Sequence, residues 1–451
     1  MAIPSKSTEM GDARKAALTV LERRRRDGAW SDAVLGGVLL KEREALDTRD
    51  RGLTAALCYG VLQNEALLDY LLQSVSGRPL NRVEPKVLDI LRVSAYQLCF
   101  LEKIPVSAAV NEGVRLCREL GFARAAGYVN AVLRKLAANP VIPEIGGGAA
   151  ERLSIRYSHP KWLVEYLLKR LPEGDAEEFL RCDNAPAPAA LQVNTLKTDA
   201  AALLAALRED GVAAEKHPYL PDCLVTEGLG DLTQCEAFQK GFFYVQDAAA
   251  FLAVMAAQPR AEERILDVCA APGGKSFAAA ILSGGRAEIT ACDLHENKLK
   301  RIRAGAERLG LGNIQALARD ARTDRTDWRE AFDLVIADVP CSGLGVIRKK
   351  PDIRYKDPAA FDSLPEIQRS ILEHAAICVR PGGRLLYATC TIRSEENEDV
   401  VRRFLAEHDG FSPENFETPI PGAAGEDGML QLWPQRHGTD GFFIAKLRKN
   451  R

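Results

Sequence analysis

Residues 265–293 constrain this chain more than any other stretch. Ile265, Leu266 and Val268 make a short apolar run that predicts a buried strand. Cys269-Ala270-Ala271-Pro272-Gly273-Gly274-Lys275 then forces a tight turn, and Lys275 to Leu282 opens a helix. A second strand, Glu288 to Cys292, ends at Asp293, roughly 20 residues beyond the glycines. Strand, glycine turn, helix, strand and terminal acid form the first half of a nucleotide-binding α/β unit. Glycines let backbone amides approach a ligand closely, and the acid can accept both ribose hydroxyls. The turn lacks the G-x-G-x-x-G spacing of a dinucleotide site. It also lacks the four-residue spacing from a first glycine to the Gly-Lys-Ser ending of a P-loop. An adenosine-type ligand without a pyrophosphate fits better, and S-adenosylmethionine is the leading candidate. Taken alone, the turn fits a Gly-Gly bend in any α/β protein equally well.

At 451 residues the chain has room for two to four domains. Its formal net charge of −2 gives no global basic field that would announce a polyanion. The charge is unevenly spread: residues 1–140 carry 21 Lys/Arg against 16 Asp/Glu, a mild basic bias at the front. The first ten residues have no apolar core of the signal-peptide kind, and no apolar stretch approaches the ~18 residues of a spanning helix. No membrane association is expected. Eleven cysteines occur without C-x-x-C pairs or zinc spacing, so neither a disulfide framework nor a metal site is indicated. Reduced thiols in the cytoplasm fit that usage best.

From residue 12 to 137 the pattern predicts helix after helix: Ala13 to Arg26, Leu53 to Leu72, Pro85 to Phe100, Pro105 to Leu120 and Ala123 to Leu136. Arg23 to Arg26 close the first helix, where the macrodipole favours cations as well as a phosphate contact would. Val87 to Leu98, Ile104-Pro105 with Val110-Asn111-Glu112, and Tyr128 to Arg134 resemble the NusB family of RNA-binding helical domains. Residues 1–140 are therefore expected to form an all-α NusB-like bundle. Residues 141–150, with Pro143 and three glycines, read as a linker. Residues 151–240 read as a small α+β subdomain. Residues 241–451 continue the α/β alternation, with strands at 314–318, 333–338 and 383–389 and helices at 295–309, 365–379 and 394–408. The last helix opens with a capping pattern, Ser394-x-x-Asn397. Strands near 429–433 and 441–447 would close the sheet. The fold class is thus multidomain, ending in a Rossmann-like α/β sheet.

Two cysteines follow predicted strands, in Asp338-Val-Pro-Cys341-Ser and Tyr387-Ala-Thr-Cys390-Thr. Ligands of doubly wound sheets bind outside the carboxyl ends of the strands, so Asp293, Asp320, Asp338, Cys341 and Cys390 would share one rim. A single cysteine there is more often buried filler; two beside a nucleoside-type turn reverse that expectation. The chemistry that needs a thiol is methylation of cytosine. Carbon 5 of cytosine is a poor nucleophile until a thiolate adds to carbon 6 and makes it enamine-like. Asp338 is placed to bond the exocyclic amine or ring nitrogen of the base.

Asp267 to Lys275, Asp338-Val-Pro-Cys341-Ser, Arg348-Lys-Lys-Pro-Asp-Ile-Arg354, Thr389-Cys390-Thr, Glu395-Glu-Asn397 and Asp440-Gly-Phe-Phe443 together resemble the NOL/NOP2/Sun family of RNA 5-methylcytosine methyltransferases. With the NusB-like front end, the resemblance covers essentially the whole chain. It implies a class I S-adenosylmethionine-dependent methyltransferase in which Cys390 is the nucleophile and Cys341 assists product release. It also implies cofactor contacts from Cys269, Ala270, Ala271, Pro272, Gly273, Gly274, Lys275, Asp293, Asp320 and Asp338. Two positions depart from the family: Val339 replaces alanine in Asp-Ala-Pro-Cys, and Gln192 stands where arginine often precedes the asparagine of Val193-Asn194-Thr195.

Arg348, Lys349, Lys350, Arg354 and Tyr355 follow the Cys341 loop and suit phosphate neutralisation and base stacking as well as a solvated loop. The expected substrate is a cytosine in small-subunit ribosomal RNA, acted on by a monomer without a metal. Transfer RNA is the alternative substrate, and a non-catalytic RNA-binding assembly or antitermination factor the alternative class. Both rim thiols argue against the latter.

Overall fold

The computed structural model describes residues 12–451 apart from 43, 140, 229 and 231, so the leader reading of the first ten residues lies outside it. The chain divides into two compact units. One runs up to Asn184 and includes the later segment Lys350–Tyr355; the other comprises Ala185–Lys349 and Lys356–Arg451. No helix among the described residues is long and apolar enough to cross a membrane.

The first unit is helical: α1 (Ala13–Asp27), α2 (Ser31–Lys41), α3 (Thr48–Ser76), α4 (Pro85–Phe100), α5 (Val106–Glu119), α6 (Ala126–Ala138), α7 (Ala149–Tyr157), α8 (Lys161–Arg170) and α9 (Glu173–Asn184). Asp12 starts α1 by accepting the Arg14 and Lys15 amides at 3.0 and 3.3 Å. The helix buries Ala13, Ala16, Ala17, Val20 and Leu21, a stripe at three- and four-residue spacing. Sequence patterning misses α2, because Gly36-Gly37 depresses helix propensity in its middle. By packing, α7–α9 belong to this unit, although they fall in the stretch 151–240 expected to form a small α+β subdomain or just before it.

The long helix α3 meets α4 at Gly60, where a Cβ would fall 2.0 Å from the Tyr96 ring. Four residues later the helix kinks at Asn64 (φ −124°, ψ 15°). Asn64 Nδ2 donates to Gly60 O at 2.9 Å, and Leu67 N turns to Ser158 Oγ at 3.0 Å. The kink thereby frees carbonyls that a straight helix would bond internally. Arg354 takes up Gln63 O at 3.0 Å, and the Tyr355 hydroxyl donates to Leu62 O. Arg354 also donates to Ser158 O (3.1 Å) and Asn184 Oδ1 (3.0 Å). It is only 2% exposed, and Arg24 stacks over Tyr355 at 3.8 Å. Two members of the expected RNA-contact stretch are therefore structural parts of this unit: Arg354 and Tyr355 each answer one carbonyl freed by the kink, and the guanidinium does not face solvent. Arg354→Met should cost roughly 3 kcal/mol, since it strands one buried and two half-buried acceptors while keeping the volume. Urea unfolding followed by circular dichroism reads this; unchanged stability would mean the carbonyls find other partners.

The second unit opens with an antiparallel sheet in the order β2-β3-β1-β4, formed by β1 (Ala189–Val193), β2 (Glu215–Lys216), β3 (Cys223–Thr226) and β4 (Phe243–Val245). Helices α10 (Ala200–Glu209) and α11 (Glu236–Gln239) accompany it. The main sheet has the order β10-β12-β9-β8-β5-β6-β7, with β11 also pairing β12. Its strands are β5 (Arg264–Asp267), β6 (Glu288–Asp293), β7 (Ile314–Ala318), β8 (Phe332–Asp338), β9 (Val379–Thr389), β10 (Phe411–Pro413), β11 (Met429–Leu432) and β12 (Phe442–Lys449). Its helices are α12 (Ala248–Ala257), α13 (Gly274–Leu282), α14 (Glu296–Leu309), α15 (Leu364–Cys378), α16 (Glu398–Glu407) and α17 (Pro434–His437).

Strands β5 to β9 are parallel, and β10 to β12 add antiparallel pairs at one side. Both faces are covered. Ile265, Ile289, Leu334 and Ile336 face one apolar core; Leu266, Val335, Ala337 and Leu385 face the other. That two-residue alternation within uniformly apolar strands is what a buried parallel sheet requires. From β5 the chain runs outward through β6 and β7, then returns to place β8 on the other side of β5. This reversal is a topological switch point, where open α/β sheets bind ligands.

One expected element differs. The helix predicted from Ser394 begins at Glu398, after a short 3₁₀ turn at Ser394–Glu396. Asn397 makes no side-chain cap; its amide is drawn to Thr391 O at 3.1 Å and Gln431 Oε1 at 2.9 Å.

Candidate active site

Beyond β5 the chain turns through Cys269–Gly273 into α13. Ala270 N donates to Cys292 O at 2.6 Å and Gly273 N to Ala270 O at 2.7 Å, so the turn is tied to β6. Gly273 has φ +119°, and a Cβ there would strike the Phe277 ring at 2.4 Å. Only glycine satisfies both conditions. Beneath the turn, Ser276 Oγ donates to Asp267 Oδ2 at 2.7 Å, while burial pushes the Asp267 carboxyl up to about 7.

A cavity of about 600 Å³ begins at this turn and follows the strand ends. Cys269, Ala271, Lys275, Asp293, Asp320, Asp338, Cys341 and Cys390 all line it. Ala270, Pro272, Gly273 and Gly274 shape the turn without lining the cavity. Asp293, 7% exposed at the end of β6, accepts the His295 amide at 3.1 Å and faces Lys298 Nζ at 3.5 Å. Asp320 pairs with Arg322 at 2.7 Å, whose guanidinium and amide hold its carboxyl down at about 2. Lys275 Nζ donates to Asp338 Oδ2 at 2.6 Å. Carboxylates at successive strand ends and apolar walls from Val268, Ala271, Leu294 and Ala321 suit a ribose, an amine and an adenine ring. The donor set fits an adenosine cofactor.

The two expected thiols meet at the far end of the cavity. Because β8 and β9 are neighbours, with Asp338 opposite Ala388, the segments leaving them run side by side. Cys341 Sγ and Cys390 Sγ lie 3.3 Å apart. Gly345 N donates to Cys390 O at 3.0 Å, and a Cβ on Gly345 would fall 1.8 Å from Gly441 O, so the Cys341 loop is clamped on both sides. The Cys341 thiol is pushed well up, first by its contact with Cys390 and then by burial.

Some cavity residues escaped sequence reasoning. Asp247, Asp440 and Phe442 line the wall that also holds the thiols. Asp247 caps α12, accepting Ala249 N at 2.9 Å. Asp440 lay in a motif already noted, and that was the available signal. Lys349 Nζ bridges Asp247 Oδ2 (2.6 Å) and Asp440 Oδ2 (2.7 Å), and Arg348 Nη2 reaches Asp440 Oδ1 at 3.1 Å. Burial and then Asp247 push the Asp440 carboxyl up to about 6. The basic stretch is therefore split: Arg348 and Lys349 brace the cavity wall, Arg354 and Tyr355 serve the helical unit, and Lys350 is exposed. Gln192 is fully buried and donates to Gln246 O at 2.9 Å.

Residues 254–448 match the family described as 16S rRNA methyltransferase RsmB/F. Residues 11–138 match the NusB family, and 159–233 match the ferredoxin-like domain of RsmF/B-like methyltransferases. A probable ribosomal RNA small subunit methyltransferase B of Bacillus subtilis is 39% identical over 452 residues, spanning 98% of this chain and 99% of that protein. The chain belongs to the RsmB/F family. The Vibrio cholerae ribosomal RNA small subunit methyltransferase B is 35% identical over 420 residues, covering 92% of this RsmB/F chain and 93% of its own. The crystal structure of PH0851 superposes with a TM-score of 0.80 at 28% identity, covering both chains completely. NSun6 from Pyrococcus horikoshii with SFG gives 0.58 at 24% identity, over 65% of this chain and 98% of its own, a likeness of fold alone. Among the described residues no group of three or more His, Cys, Asp or Glu side chains is arranged to hold a metal.

Proposed function

We propose that this protein methylates carbon 5 of a cytosine in small-subunit ribosomal RNA through a transient bond between Cys390 and the base. The observation that carries this reading is the pair of thiols 3.3 Å apart on the wall of the cavity that starts at the glycine turn. S-adenosylmethionine, when bound, supplies an electrophilic methyl group. Asp293 would hold its ribose hydroxyls, Asp320 and the Cys269–Lys275 turn its adenosine, with Asp338 at the reacting end.

The residues of the chain carry the remaining steps. Lys275 fixes Asp338, whose free oxygen accepts the exocyclic amine of the cytosine and orients the ring. The Cys390 thiolate forms a bond to carbon 6, and the electron pair of the 5,6 double bond makes carbon 5 nucleophilic. Once carbon 5 carries the methyl group, a base removes its remaining proton, the double bond re-forms and the sulfur–carbon bond breaks. Cys341, held as a thiol beside the departing sulfur, is placed to give it a proton. The cytosine must leave its stack to sit between the sulfurs, which favours loops or partly unfolded RNA over duplex. Lys350, exposed in the basic stretch, suits a phosphate contact.

Bisulfite sequencing of total RNA from cells with and without this protein tests the reading. One 16S cytosine that loses its protection in the deletion strain is the expected result. Loss confined to transfer RNA would keep the chemistry and replace the substrate; no loss anywhere would remove the cytosine chemistry.

A further inference from the structure

The Glu395-Glu396-Asn397 stretch has no part in the steps above, yet Glu396 and Asn397 are fully enclosed. One carboxylate oxygen of Glu396 accepts the backbone N–H of Ser342, the residue after Cys341, at 2.8 Å. The same oxygen accepts the side-chain amide of Gln368 on α15 at 3.0 Å, and that amide also donates to Pro340 O, just before Cys341, at 2.9 Å. Its other oxygen faces the Arg393 guanidinium at 3.7 Å. The Glu396 carbonyl accepts the buried Tyr387 hydroxyl at 2.6 Å.

The second thiol is gripped in the same way. Ser342 Oγ and Thr391 Oγ1 lie 2.7 Å apart, and Thr389 Oγ1 donates to Asn397 Oδ1 at 2.5 Å. With the Asn397–Thr391 bond, Asn397 holds the residues on either side of Cys390, while Glu396 holds Ser342 and its partner Gln368 holds Pro340 on either side of Cys341. A buried carboxylate is expensive, and an apolar side chain of equal volume commonly serves stability as well or better. Stability therefore does not account for an acid at this place.

We propose that Glu396 is a positioning residue for the paired thiols: its enclosed carboxyl, together with Asn397, locks the Cys341 loop to the Cys390 loop. The inference rests on the two-thiol chemistry proposed above. The charged and titratable groups around Cys341 are Cys390, Asp338 with its Lys275 partner, Tyr387 from β9, and Glu396 with Arg393. Glu396 is among the groups that push the Cys341 thiol up, after Cys390 and burial. Glu396→Gln weakens that push while the Cys390 contact and burial remain, so Cys341 gives up its proton at a somewhat lower pH.

The test compares the full-length wild-type protein with Glu396→Gln on 16S rRNA transcripts, using tritiated S-adenosylmethionine. We expect kcat to fall about ten- to a hundredfold, the scale set by small misplacements of reacting groups. RNA KM, cofactor affinity and thermal melting should stay near wild type, and the alkaline limb of the kcat profile should move to lower pH. A wild-type kcat and pH profile in the variant overturns the inference, as does a loss of kcat matched by losses in cofactor affinity and melting temperature. Should Glu396→Gln fail to fold, Gln368→Met removes one of its two hydrogen-bond donors; a lowered kcat at constant KM supports the inference and an unchanged kcat overturns it. Trapping on RNA that contains 5-fluorocytidine separates the two levels. No adduct from the wild-type protein overturns the two-thiol reading and this inference with it, whereas a wild-type adduct with an indifferent Glu396→Gln variant overturns the inference alone.

Discussion

Cys390→Ala is expected to abolish methyl transfer while leaving S-adenosylmethionine affinity within a few-fold of wild type. Without the sulfur no bond forms to carbon 6, and carbon 5 stays too weak a nucleophile. A fall of at least 10³-fold is expected, equivalent to about 4 kcal/mol in the barrier. The affinity should survive because Cys390 follows β9, whereas the turn follows β5 and Asp293 ends β6, two and three strands away in the order β9-β8-β5-β6. Tritium transfer to 16S rRNA and equilibrium dialysis read the two halves separately. Retained turnover would mean that Cys390 is not the nucleophile; joint loss of affinity would mean that the substitution disturbs the cavity as a whole.

Cys341→Ala should give the opposite signature, a reaction that starts and does not finish. Cys390 would still add to the base and carbon 5 would still receive its methyl group. The departing sulfur would lack the proton donor 3.3 Å away. Protein covalently linked to RNA should accumulate toward one equivalent, visible as a band that survives denaturing electrophoresis, and Cys390→Ala added to Cys341→Ala should remove it. Turnover is expected to drop about a hundredfold, within the range usual for loss of a positioned acid. Undiminished methylation without such a band would take Cys341 out of the mechanism. The Glu396→Gln variant should lie between these extremes, because the thiol remains and its setting changes.

The sequence carried the strand–turn–helix–strand unit legibly because each of its parts is local. Apolar runs, a Gly-Gly turn and a terminal acid stand within 30 residues, and strand ends can be read from where polarity returns. For the same reason Cys341 and Cys390 could be assigned to strand ends. Their adjacency could not be read from patterning, because it depends on β8 and β9 being neighbours in the order β9-β8-β5, which is a property of the assembled sheet. Elements whose patterns were weak or interrupted were harder. Helix α2 is hidden by its glycines, and β2 and β10 are too short for a period to show. The start of α16 differs because Ser394, expected to open the helix, lies in a 3₁₀ turn and Asn397 is drawn into tertiary bonds.

Charge was the least legible property. Arg348, Lys349, Lys350 and Arg354 look alike as a basic run, and only folding separates them. Arg348 and Lys349 neutralise Asp440 and Asp247, and Arg354 satisfies the Gln63 carbonyl released by the kink at Asn64. The sequence by itself indicated the kind of unit, an adenosine-type ligand for its turn and two candidate thiols at strand ends. The tertiary structure decided which atoms stand together, which cations still face water, and that a buried acid and the asparagine after it grip the two thiol loops. The physical reason is distance: patterning speaks for neighbours along the chain, whereas hydrogen bonds and ion pairs act within a few ångströms between residues that folding alone makes close.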